Sequence, residues 1–185
     1  MQTNHNLKRA LSRRQVLSGT VLTLLPFIVG TKEGVADELA SQYDFLSKNG
    51  NSNCTKAFLD SIPTMPKDAR LQGSCCSPME LSRYVNQITG LTKYKTNPDI
   101  PPNPYDIEAA LAAKLLANYD LPLTSDEQKA YDYAMANSDE KGPCCCRCWR
   151  WKAYGGLAKL LIRDHHFDGK QVTDVWNISN GCGGG

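Results

Sequence analysis

The sequence predicts a small all-α single-domain protein, a helical bundle with a Cys-rich loop and a Gly-rich C-terminal tail. Three observations carry that prediction. Apolar residues recur at three- and four-residue spacing in several segments, with little alternation of the strand type. Side chains that cap helix N-termini stand just ahead of several of those segments. Pro- and Gly-rich stretches then separate them, so five or six helices account for most of the chain.

In order along the chain, Val35 to Ser47 places Leu39, Tyr43 and Leu46 on one helical face. Asn49 to Asn53 is a polar turn, and Cys54 to Leu59 is a short helix ended by Pro63 and Pro66. Ser77-Pro78-Met79-Glu80 has the form of a helix start, with a capping hydroxyl, a proline at the first helical position and a Glu able to reach back. Leu81, Tyr84, Val85 and Ile88 continue that helix, and Gly90 is its expected stop. Pro98 to Pro104 is a link. Tyr105 to Tyr119 is rich in Ala and Leu and carries the stripe Ile107, Leu111, Leu115 and Leu116, broken at Pro122. Thr124 and Glu127 form a second capping box for a helix through Ala130, Tyr131, Ala134 and Met135, which must end before Pro143. Trp149 to His166 repeats Leu157, Leu160 and Leu161 on one face, although Gly155-Gly156 suggests a start inside that stretch. The end, Asn180 to Gly185, is too rich in glycine to hold a fold by itself.

The N-terminus has the three parts of an export leader, and residues 1–36 are expected to be a twin-arginine signal peptide. Lys8, Arg9, Arg13 and Arg14 make a basic start, and Ser12-Arg13-Arg14-Gln15-Val16-Leu17 fits the twin-arginine pattern. The uncharged stretch from Val16 to Gly30 is about 15 residues, short of the roughly 20 that span a bilayer. Gly34-Val35-Ala36 offers small residues for cleavage. An uncleaved N-terminal anchor is the other reading of the same stretch. Cleavage leaves residues 37–185 as one Cys-rich helical domain, with no membrane span, in the periplasm or another extracytoplasmic space. The expected partners are the twin-arginine export machinery, which carries folded proteins, and an envelope protein.

The leader holds five of the 21 Lys+Arg and one of the 19 Asp+Glu. The remaining 16 against 18 give residues 37–185 a charge of about −2, so no basic patch argues for nucleic acid. The chain has no Gly-rich phosphate loop, no nucleophile elbow and no His-Glu-x-x-His, which argues against a hydrolase or a nucleotide enzyme.

Chemistry concentrates in eight cysteines at positions 54, 75, 76, 144, 145, 146, 148 and 182. An oxidising compartment makes disulfides the default for them. Cys144, Cys145, Cys146 and Cys148 are too crowded to bridge one another, so each would need a distant partner, and Cys54, Cys75, Cys76 and Cys182 just suffice. Alternation of Cys144, Cys146 and Cys148 would instead put three sulfurs on one face of an extended loop, a clasp for a soft metal such as Cu(I), Zn(II) or an iron–sulfur centre. The chain has no pair of Cys-x-x-Cys knuckles of the zinc-ribbon kind and no Cys-x-x-Cys-His for covalent haem. Cys75 and Cys76 precede the helix start expected at Ser77, where the helix dipole should favour a thiolate. The expected ligands are Cys144, Cys146 and Cys148, with a fourth from Cys182, Cys145, Cys75 or Cys76. Two alternatives remain open: a disulfide-stapled scaffold or accessory subunit of an envelope enzyme, and a thiol–disulfide oxidoreductase using Cys75, Cys76 or the cluster. Eight cysteines allow 105 full pairings, and spacing alone does not choose among them.

The run Ala130-Tyr131-Asp132-Tyr133-Ala134, then Gly142-Pro143-Cys144-Cys145-Cys146-Arg147-Cys148, then Gly181-Cys182-Gly183, resembles the bacterial PCYCGC-motif proteins. Pro143, Cys144, Cys146 and Cys148 fall on that motif's Pro and three Cys, and Cys182 on the Cys of its later element. Cys145 stands where the motif has Tyr and Arg147 where it has Gly. A second Cys of the later element is replaced here by glycines, and the lipid-anchor cysteine common in the group is missing from the leader. The resemblance covers roughly residues 127–185 and implies an exported, Cys-rich, metal-binding protein.

His165 and His166 end the last expected helix, where they either cap its C-terminus or complete a metal sphere. Trp149, Trp151 and Trp176 read as packing aromatics of the C-terminal half. Asp164, Asp168 and Asp174 lack calcium-loop spacing and read as solvated.

Overall fold

A computed structural model describes residues 32–183, so the expected leader, apart from residues 32–36, lies outside the described residues. The described chain is mostly helical: α1 (Lys32–Asn49), α2 (Lys56–Ser61), β1 (Arg70–Gln72), α3 (Leu81–Leu91), β2 (Asp106–Glu108), α4 (Ala109–Ala117), α5 (Ser125–Asn137), α6 (Trp149–His165) and α7 (Gly169–Ile178). Among the described residues no helix is long and apolar enough to cross a membrane.

Helix α6 is the central element. It packs on α4, α5 and α7, and α5 lies against α7. Trp149, Ala153, Tyr154, Leu157, Ala158 and Leu161 of α6 are buried in the main core with Ala112 and Leu115 of α4 and Val172, Val175 and Trp176 of α7. The glycine pair does not start this helix, as the sequence suggested, but lies in its interior. A Cβ on Gly156 would overlap the Leu115 carbonyl oxygen, so glycine is what lets α4 and α6 cross backbone to backbone. The capping box predicted at Thr124 and Glu127 opens α5.

The strand pair, α7 and the start of α3 differ from the sequence reading. Residues 106–108 open the segment expected to be helical from Tyr105, and they form a strand antiparallel to β1, with Leu71 opposite Ile107. Both side chains are buried. Arg70 ties the pair from its edge: its Nε donates to Asp106 Oδ1 (2.9 Å), its Nη1 to Glu108 Oε1 (3.1 Å) and its Nη2 to the Asp106 carbonyl (2.9 Å). Helix α7 follows a capping box of Asp168 and Gln171, so Asp168 is a cap rather than merely solvated. Asp174 is likewise engaged, with Tyr94 Oη donating to it at 2.6 Å and Lys93 paired with it. Helix α3 begins at Leu81 with Glu80 as its cap position and without a side-chain cap, not at Ser77.

A smaller cluster of Leu46, Met79, Tyr84 and Tyr105, with Tyr43 against Tyr84, joins α1 to α3. Through it α1 is fixed against the segment that follows Cys75 and Cys76.

Candidate metal centre

Four separate chain segments deliver all eight cysteines to one end of α6. The first is placed by an asparagine. Asn51 and Ser52 donate their amides to the Gln72 carbonyl (3.0 and 2.9 Å), Asn51 Oδ1 accepts from the Gln72 amide (2.8 Å), and Asn51 Nδ2 donates to the Arg70 carbonyl (2.9 Å). Asn51 thus pairs with the open edge of β1 as a further strand residue would, and three residues later Cys54 arrives beside the loop that leaves β1. That loop carries Cys75 and Cys76. The third segment, Cys144 to Cys148, leads into α6, with Cys148 as its cap residue. The fourth follows α7 and carries Cys182.

The tail is held rather than loose. The Cys182 carbonyl accepts from the Ser77 amide (2.9 Å) and the Ser77 hydroxyl (3.0 Å), and the Cys182 amide donates to Asn180 Oδ1 (3.1 Å). Ser77 is therefore committed to the tail, which is why the capping box read at Ser77 and Glu80 does not form. Gly183 has φ +106, and a Cβ there would overlap the Ser77 carbonyl, so the glycines around Cys182 permit the docking.

The sulfurs form overlapping groups, each with its atoms within 4.8 Å of one another: Cys54, Cys75, Cys76 and Cys146; Cys76, Cys145, Cys146 and Cys182; and Cys144, Cys146 and Cys148. Cys76 Sγ lies 3.1 Å from Cys146 Sγ and 3.3 Å from Cys54 Sγ, and Cys54 Sγ lies 3.5 Å from Cys146 Sγ. Cys75 Sγ is 3.6 Å from Cys76 Sγ and 3.8 Å from Cys148 Sγ. Four sulfurs bound tetrahedrally at a metal–sulfur length of about 2.3 Å stand about 3.8 Å apart, so this crowding suits ions held directly by sulfur. Cys144 and Cys182 are joined in a disulfide, and the other six cysteines are thiols.

All seven cysteines read as ligands from the sequence fall in these groups, and Cys54, which was not among them, belongs to the first. The Cys-x-x-Cys spacing of Cys145 and Cys148 makes no knuckle here, since the two sulfurs belong to different groups.

The electrostatics reverse one expectation. Cys75 and Cys76 do not sit at a helix start and are not favoured as thiolates. The hydrogen bond with Cys148 and then burial push the Cys75 thiol up, and burial with the neighbouring Cys146 pushes Cys76 up. Burial raises Cys54 to about 11 and also raises Cys145. The thiolate site is Cys148, lowered to about 5. The Cys75 S–H donates to its sulfur, and the Arg150 and Trp151 amides of the first turn of α6 favour its charge against burial. The dipole effect that the sequence placed at residues 75–76 therefore acts at residue 148.

Next to this sulfur cluster lies Arg150, fully buried. Its Nη1 donates to the Pro104 carbonyl and its Nη2 to the Gly73 carbonyl (2.8 Å), its Nε has no partner, and its guanidinium packs on the Trp149 ring. No ion pair to Arg150 occurs among the described residues. A buried cation without a carboxylate needs negative charge nearby, and the thiols are the groups that can supply it. Trp151 packs under Arg147, and Trp176 donates from Nε1 to the Tyr154 carbonyl (3.0 Å), so both act in packing. His165 bonds Asp99 at the other end of α6, and among the described residues no histidine belongs to any of the sulfur groups.

Comparison with protein-family models, curated proteins and solved structures finds no match for this chain.

Proposed function

We propose that the protein is an exported metal-binding protein that holds a soft transition metal, copper(I), zinc(II) or an iron-containing centre, on its clustered cysteines. The carrying observation is the convergence of eight sulfurs from four segments beside a buried arginine that has no carboxylate partner. Thiolates bound to a metal would supply the charge that Arg150 lacks. Because the ligands come from residues 54 to 182, the centre forms only in the folded chain. That agrees with the twin-arginine reading of residues 12–17, by which the protein would cross the membrane already folded and loaded. Within this reading it acts in the periplasm or a comparable space, storing, sensing or delivering its metal to an envelope partner.

The test is elemental analysis of the chain isolated without oxygen or chelator, with thiols counted on the same sample. The expected result is near-stoichiometric soft metal with thiols protected from alkylation, both lost in Cys146→Ser/Cys148→Ser. Unchanged metal content in that double variant would overturn the reading.

The Cys144–Cys182 bond favours a second reading, a stapled scaffold. It predicts no metal and no alkylable thiol in the same sample. An oxidoreductase role fits less well, because the exposed thiols Cys54, Cys76 and Cys145 are all pushed up and the one lowered thiol, Cys148, is buried.

A further inference from the structure

The first two sulfur groups share two members. Cys54, Cys75, Cys76 and Cys146 make one set of four, and Cys76, Cys145, Cys146 and Cys182 make the other. The shared pair, Cys76 and Cys146, has its sulfurs 3.1 Å apart. Two tetrahedra with a common edge need six corners, and six different cysteines occupy them. A thiolate sulfur has lone pairs enough to bridge two ions, whereas an S–H can serve neither. The first set is composed entirely of thiols. The second includes Cys182, whose sulfur is bonded to Cys144. A disulfide sulfur carries no thiolate charge, so the second set is one ligand short while that bond exists.

The second set also has its own access to solvent. Cys145 and Cys182 line a cleft of about 360 Å³ together with Ser77, Arg83, Glu140 and Asn180. The first set opens elsewhere, where Cys54 and Cys76 are exposed and Cys75 and Cys76 line a separate hollow with Ser74 and Pro78. An ion could therefore enter the second set without disturbing the first.

Resting on the metal-binding reading above, we infer that the cluster is a two-ion site bridged by Cys76 and Cys146, whose second ion is admitted only when the Cys144–Cys182 disulfide is reduced. In the opening step a dithiol reductant passes two electrons and two protons to the Sγ–Sγ bond of Cys144 and Cys182 and itself closes to a disulfide. Two thiols result. The Cys182 thiol gives its proton to solvent as its sulfur takes the metal. Capacity, rather than occupancy of the first set, then follows the redox state of the compartment.

The full chain, apo-prepared, is titrated with Zn(II) under argon and read by native mass spectrometry, with and without prior treatment by tris(2-carboxyethyl)phosphine. One zinc is expected with the disulfide intact and two after reduction. Cys144→Ser, which leaves Cys182 as a thiol, is expected to take two without reductant. Cys182→Ser is expected to stop at one in either state. Two zinc ions with the disulfide intact would overturn the gate, and one in every form would overturn the second site while leaving the metal-binding reading in place. No zinc in any form would remove both. The oxidised and reduced wild-type chains decide the matter even if a variant does not fold.

Discussion

The two ends of α6 meet the same problem, a buried charge, with different chemistry. At the C-terminal end Asp99, its side chain 8% exposed, is held by Lys114 on one oxygen and by His165 Nε2 at 3.1 Å on the other. At the N-terminal end Arg150 is fully buried, with two backbone carbonyls and an aromatic face but no carboxylate. The first end closes as an ordinary ion-pair network. The second remains electrically incomplete unless the sulfurs beside it are negative. Helix geometry sharpens the contrast, because amides of the first turn favour anions where the cysteines lie, and basic residues Arg163 and His165 occupy the last turn. With the ends roughly 25 Å apart, His165 and His166 cannot reach the sulfurs. One end is balanced by a carboxylate, an ammonium and an imidazole, and the other depends on the charge of sulfurs, Cys148 first among them, that could hold a metal ion.

The strongest way to break this comparison is Arg150→Met. The change leaves the Pro104 and Gly73 carbonyls buried without donors, at about 1–3 kcal/mol each, so a loss of about 3 kcal/mol is expected in denaturant unfolding of the metal-free chain. If the guanidinium balances metal-bound thiolates, the metal-loaded chain should lose more than the metal-free one. Zinc affinity should then fall by about tenfold or more, or about 1.4 kcal/mol. Equal losses in the two states would show that Arg150 is only a clamp between loops.

A second prediction concerns charge at the sulfur end without metal. Cys148 is lowered to about 5 by the Cys75 S–H and by the first amides of α6, while Cys54 is raised to about 11. In the reduced, metal-free chain, ultraviolet thiolate absorbance should therefore show one thiolate near neutral pH that disappears with a midpoint near 5. Because the folded value lies below the unfolded one, this group's contribution to stability is complete above the ordinary thiol range. It is lost as pH falls through about 5. Cys75→Ala removes the donor and should move that midpoint upward. A single transition at about 8.5, the ordinary thiol value, would remove the distinction drawn for Cys148.

How much of this was legible in the sequence differs by element. The helices with strong periodicity and capping boxes, α5 above all, could be read because local signals and tertiary burial agree there. The clustering of cysteines pointed to sulfur chemistry. The missing member, Cys54, could not be found by spacing, because its position depends on Asn51 pairing with the edge of a three-residue strand. That strand and its partner are too short to show alternation. Ser77-Pro78-Met79-Glu80 has every local mark of a helix start, yet the tail at Cys182 competes for Ser77 and wins. Gly155-Gly156 looked like a break because helix propensity ignores the neighbour, and it was the neighbouring α4 that required it. The Asp168 and Gln171 box of α7, by contrast, stood in the sequence with Val172, Val175 and Trp176 behind it, and the sequence reading missed it although the local signal was complete. Long-range competition for a local signal accounts for the misreading at Ser77 and at Gly155-Gly156, though not for the missed α7.

The smallest expected effect lies at the end that is already complete. Burial pushes the Asp99 carboxyl up, but Lys114 and His165 outweigh it and hold the group below the usual carboxylate range. Its contribution is therefore present above about pH 4 and is lost as pH falls through the lowered folded value. Lys114 is half exposed, so the pair is partly screened, and Asp99→Asn should cost only about 1 kcal/mol at neutral pH. The variant should also flatten the loss of stability that the wild-type chain shows on acidification from neutral pH. Metal content should not change, because no sulfur ligand contacts this network. A fall in bound metal in Asp99→Asn would mean that the two ends of α6 are coupled through the helix, and the separation of an ion-pair end from a sulfur end would have to be given up.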